Sequence, residues 1–129
     1  MPSEMYYGRL VSKIIDEIIN YAKVVLHTDE YEKEYRDLLQ NKELLFPAVA
    51  HIIDSRLRGT RSVYPRILSV YYNGYGYRLI IRFFTRLGLI RPVAQRTQTR
   101  GQIMRYKVTD TLDKMLQRHG IYPVWMDKH

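Results

Sequence analysis

Arg78, Arg82 and Arg86 stand four residues apart in the stretch YYNGYGYRLIIRFFTRLGLIRP, residues 71–92, with no acid close by in the sequence to pair them. Residues four apart are neighbours on a helix, where like charges cost roughly 0.2–0.5 kcal/mol per pair, so a solvated face normally mixes signs. A stripe of one sign is suited instead to an external anion. Guanidinium also forks onto phosphate oxygens and onto the guanine edge in a way that an ammonium group does not. The bias reaches beyond these three residues: between Asp54 and Asp110 the chain carries twelve basic residues, eleven of them arginine, and no acid. Residues 1–60 hold eight basic and ten acidic residues, whereas residues 61–129 hold thirteen and three.

Other chemistry finds less support. The chain of 129 residues has a net charge of +8 and no cysteine, which removes disulfides, thiolate zinc sites and cysteine nucleophiles and fits an intracellular protein. Its four histidines, His27, His51, His119 and His129, are scattered and form no helical His-Glu-x-x-His pair. YYNGYGY contains glycines but no Gly-Lys-Ser/Thr ending, which makes it a turn and not a phosphate-cradling loop. Arginine with tyrosine also occurs in strand-transferring recombinases, but the chain is short for their catalytic domain and has no His-x-x-Arg. These features predict no enzyme activity, no metal and no cofactor. No window approaches 18 uninterrupted apolar residues, and no signal-peptide pattern opens the chain, so neither a membrane nor an export route is expected. Five tyrosines, Tyr64, Tyr71, Tyr72, Tyr75 and Tyr77, cluster near the turn. With the arginines they suggest base stacking on a single strand, against the plainer reading of core residues with a bonded hydroxyl.

The elements that must position the arginines follow from periodicity. Apolar residues from Leu10 to Leu26 recur at three and four, which predicts a first helix over about 6–26. Asp29 with Glu32 resembles a capping box and predicts an acidic second helix through about Gln40, and Asn41 is placed to cap a third helix, Lys42 to Arg58, closed at Gly59. Residues 60–73 read as a turn and a short helix with Pro65 in its first turn. The next helix spans about 75–87 and stops at Gly88. At about 100° per residue, Arg78, Arg82, Arg86 and Tyr75 share one face of it, opposite an apolar face of Ile80, Ile81, Phe84 and Leu87. LIRPVAQ and IMRYKVT read as strands of a hairpin joined by the polar RTQTRGQ, and TLDKMLQRH as a last helix capped by Thr109 or Asp110. The tail IYPVWMDKH is apolar enough to dock.

A helix with a packed inner face and a basic outer face, preceded by a shorter helix and a tight turn, suits the DNA major groove, about 12 Å wide. With the exit FFTRLGLIRP and the strand-to-helix junction RYKVTDTLDKML, the order of elements over about 41–120 resembles the winged helix-turn-helix domain of transcription regulators. The likeness is to multiple-antibiotic-resistance-regulator-like proteins of archaeal or archaeal-virus type. Phe84 stands where that exit usually has leucine, and Leu112 where many members have glycine. The resemblance implies a mainly α fold with a small β-hairpin wing, the winged domain over 41–120; residues 1–40 then form an N-terminal helical extension that such a domain does not need, and residues 121–129 an apolar tail. It implies that Tyr75, Arg78 and Arg82 of the recognition helix face bases and phosphates of double-stranded DNA, with Arg86 further along. Arg61 and Arg66 add to that surface, and Arg96, Gln98, Thr99 and Arg100 lie on a wing over about 96–102. The wide stripe of the first helix suggests a homodimer through it, since paired winged domains read two half-sites. The partner is then DNA and the setting cytoplasmic, that of the host if the source is viral. Structured RNA, or sequence-tolerant architectural binding to DNA, are the alternative readings.

Overall fold

The computed structural model describes residues 4–26, 28–72, 76–94 and 104–122. Helix α1 (Glu4–Val25) buries Val11, Ile14, Ile15, Ile18, Ile19 and Ala22, each at most 5% exposed. Their three-and-four spacing makes one stripe.

The acidic segment expected as one helix is two, α2 (Thr28–Glu34) and α3 (Arg36–Gln40), broken at Tyr35 (φ −116, ψ 22). The break accompanies a ring turned inward: Tyr35 is fully buried and meets Phe83 edge-on, with centroids 4.8 Å apart. The helix expected from Lys42 begins instead as a 3-10 turn (Lys42–Leu45) and becomes α4 only at Phe46–Leu57. Pro47 accounts for the shift, because a proline is accommodated only in the first turn of an α-helix. Asn41 precedes this 3-10 turn without a capping side-chain bond.

A strand not foreseen, β1 (Ser62–Val63), leads into α5 (Pro65–Tyr71). Then follow α6 (Gly76–Arg86), β2 (Ile90–Ala94), β3 (Met104–Val108) and α7 (Asp110–Arg118). The three strands form an antiparallel sheet in the order β1-β3-β2, with Val63 and Pro92 both opposite Tyr106. β2 is therefore an edge strand, where the missing amide of Pro92 leaves no ladder bond unmade.

Gly88 ends α6 in the left-handed region (φ 71), with the Leu89 amide donating to the Phe84 carbonyl and the Gly88 amide to the Thr85 carbonyl, both at 3.0 Å. This closure turns the chain from helix into β2. The Thr109 hydroxyl donates to the Gly88 carbonyl at 2.6 Å, so the junction before α7 is fastened to the exit of α6 instead of capping its own helix.

One hydrophobic core joins all of these elements, from Val11 on α1 through Phe83 and Phe84 on α6 to Leu112, Leu116 and Ile121. α1 lies against α4 and α7, so the N-terminal segment packs into the same body as residues 41–120. At the far end of α7, Glu17 bonds Arg118 and, at 2.9 Å, His119 Nε2. Burial pulls the Glu17 carboxyl upward, but these two partners outweigh it and hold it below the usual carboxylate range. The fold is thus mainly helical with a small three-stranded sheet. Of the tail, Ile121 docks in the core, and residues 123–129 lie outside the described set. Among the described residues no helix is long and apolar enough to cross a membrane.

Candidate nucleic-acid interface

The twelve basic residues divide once partners are assigned. Arg56, 1% exposed on α4, engages buried Asp113 of α7 through Nε and, at 2.9 Å, through Nη2. Arg61 reaches the same carboxylate at 2.9 Å and Asp110 at 3.5 Å. Arg58 pairs with Asp54 at 3.1 Å. Arg56 and Arg61 hold α4 and the β1 approach against α7. Arg61, expected on the DNA surface, is largely committed to this internal contact.

Arg86 corrects the expectation of an unpaired stripe. Its Nη1 lies 2.9 and 2.8 Å from the two carboxylate oxygens of Glu34, at the end of α2. The partner comes from 52 positions away in sequence, beyond the reach of any helical spacing rule. Glu34 is held below the usual carboxylate range, first by the nearby Tyr35 hydroxyl, then by Arg86, with the charge of Arg82 adding to both. The Tyr35 hydroxyl is close enough to act in this way but completes no hydrogen bond of good geometry among the described residues.

What stays open is narrower and better defined. Arg66 on α5 and Arg78 and Arg82 on α6 are exposed, and among the described residues no acid lies within ion-pair distance of them. They rim a groove of about 1040 Å³. Tyr64, Pro65 and Ile67 at the start of α5, Tyr106 of β3, and Tyr77, Ile81, Thr85 and the Glu34-bound Arg86 of α6 complete its lining. The sheet puts Tyr106 there, because alternation along β3 turns it away from Arg105 and Lys107. Tyr75, Arg96, Gln98, Thr99 and Arg100 lie outside the described residues.

The tyrosine cluster divides too. Tyr72 is structural: its hydroxyl donates to the Leu44 carbonyl and accepts from the Ala48 amide at 3.2 Å, tying α5 to the start of α4. Burial pushes that hydroxyl up to about 12, with the Ala48 amide pulling partly back. Tyr71 is exposed on another side of α5, away from the groove. Tyr64 and Tyr77 face the groove, joined by Tyr106, which the sequence places only in a half-buried strand. Its alternation with Arg105 and Lys107 is the signal that could have found it.

Among the described residues no three His, Asp or Glu side chains converge as a metal site requires. His51 sits half-buried on α4, while His119 bonds Glu17 on α1. Comparison with models of protein families, with curated proteins and with solved structures gives no match.

Proposed function

We propose that this chain is a winged helix-turn-helix protein that binds double-stranded DNA and acts as a transcription regulator. The observation that carries the reading is the outer face of α6. It presents Arg78 and Arg82 to solvent with no acid within ion-pair distance among the described residues, beside Arg66 of α5 and next to an antiparallel strand pair. Apart from the additional strand β1, the run α4, α5, α6, β2, β3, α7 agrees with the order that the resemblance predicts, with β2 and β3 as the wing.

In this reading the first two turns of α6 enter the major groove. Arg78 and Arg82 take guanine edges or phosphates, and Arg66 grips the flanking backbone. Arg86, held by Glu34, marks where the reading face ends. Regulation follows from occupancy, as the bound protein changes access for neighbouring factors.

Fluorescence anisotropy with a mixed-sequence duplex and a structured RNA, each across a salt series, tests the proposal. Duplex binding is expected to weaken steeply with salt. Replacing both Arg78 and Arg82 by alanine should lower the affinity and reduce the salt slope by about one for each phosphate that is no longer neutralised. Preference for RNA, or an unchanged slope in the double variant, would overturn it.

A further inference from the structure

The groove beside α6 extends beyond the surface that a duplex would read: it shares Arg66, Arg78 and Arg82 with that surface and adds Tyr64, Tyr77, Ile81 and Tyr106. With Tyr77 as zero and about 100° per residue, Ile81 falls at about 40° and Thr85 at about 80°. Arg78 and Arg82 follow at about 100° and 140°. The groove, which Arg86 at about 180° also lines, therefore runs from the flank of the helix at Tyr77 and Ile81 up to its arginine face. A duplex lying on that face presents phosphates and stacked base edges, and neither matches an apolar, aromatic-lined recess at the side.

The recess has the chemistry of a different ligand. Its volume, about 1040 Å³, lies just above the usual range for ligand sites, about 300–1000 Å³. Tyr64, Tyr77 and Tyr106 line it together with Arg66, Arg78, Arg82 and Arg86, and no acid is among its lining residues. Aromatic side chains for bases and guanidinium groups for phosphates together describe a site for single-stranded nucleic acid.

We infer that the flank groove takes an unstacked base and its neighbouring phosphates from single-stranded DNA adjoining the duplex held on α6. The preferred substrate is then a duplex with a single-stranded extension. This rests on the duplex reading of α6 and specifies what lies beside that duplex.

The test uses the full chain with three labelled DNAs: a blunt duplex, the same duplex with a short single-stranded overhang, and a blunt duplex lengthened to match the overhang in charge. 2-Aminopurine is placed at the first unpaired position as a reporter of stacking. The overhang is expected to tighten binding about tenfold over both blunt duplexes, the scale of one base stacked on an aromatic ring, and the reporter fluorescence to be quenched. Tyr64→Leu with Tyr106→Leu keeps apolar bulk but removes two ring faces. It should abolish the gain and the quench, so that the variant binds the overhang DNA no more tightly than the lengthened blunt duplex. Equal affinity for the overhang and the lengthened duplex, or an overhang gain that survives the double variant, overturns the groove assignment and leaves the duplex reading standing. Absence of binding to all three DNAs overturns both.

Discussion

Glu34 does to Arg86 what a phosphate would do, and it does so from within the chain. Replacing it by glutamine removes the charge but keeps the shape, so the ion pair that neutralises Arg86 at the end of α6 is lost. Glu34→Gln is expected to tighten duplex binding and steepen the salt slope by about one, if Arg86 then meets one phosphate. Anisotropy on wild type and variant checks it, and identical slopes would mean that the DNA never comes within reach of Arg86. The effect carries a pH signature. Because the folded-state pKa of Glu34 is lowered, the ion pair is intact above the ordinary carboxylate pKa and is lost as pH falls through the lowered value. The difference between wild type and variant should therefore be present at neutral pH and vanish only in acid, below the usual glutamate range. None of this was legible from residues 71–92 alone. Helical spacing tests neighbours three and four apart, whereas Glu34 reaches Arg86 through tertiary packing. Arg78 and Arg82 meet no such partner among the described residues, and for them the sequence reading and the structure agree on exposure.

The contact between α4 and α7 depends on charge buried away from water. Arg56 and Asp113 are 1% and 3% exposed, and Arg61 shares the same carboxylate. Removing one member leaves an uncompensated buried charge, which typically costs about 3–5 kcal/mol, while replacing a buried pair by apolar residues of similar volume is often near neutral. Asp113→Asn is expected to destabilise the chain by an amount in that range, read from the urea midpoint, and Arg56→Met with Asp113→Leu to recover much of it, at an unchanged m-value. A double variant as unstable as the single one would show that Arg61 depends on Asp113 as strongly as Arg56 does. In sequence, Arg56 counted among the anion-seeking bases, because nothing in a one-dimensional charge run distinguishes a buried guanidinium from an exposed one. The elements with strong local signals were readable: the α1 stripe, the amphipathic α6 closed at Gly88, and the alternation that marks β3. The misses have physical causes. β1 has two residues, too few to show a period, Pro47 delayed α4, and the burial of Tyr35 accompanies a break that capping rules favoured bridging.

For the whole molecule the open question is how many copies act together. The wide stripe on α1 prompts the idea of a homodimer through that helix, yet α4, α7 and the rest of the core cover it within one chain. Among the described residues, the large apolar side chains that α1 leaves exposed are Val24 at 84% and Val25 at 44%, at its C-terminal end. That end is where pairing through this helix is tested. A dimer reading two half-sites needs its two α6 helices about one turn of DNA apart, so the interface also sets the spacing between operator halves. Sedimentation velocity on wild type and on a Val24→Asp, Val25→Asp variant checks the assignment. Both positions are on the surface, so the variant should retain its fold and its melting temperature. A dimer that becomes a monomer, with duplex affinity falling because each half-site is then bound alone, is the outcome expected from pairing at this end. A dimer that survives both charges would place the interface on another face, and the α6 spacing, and with it the operator length, would have to be derived from that face instead.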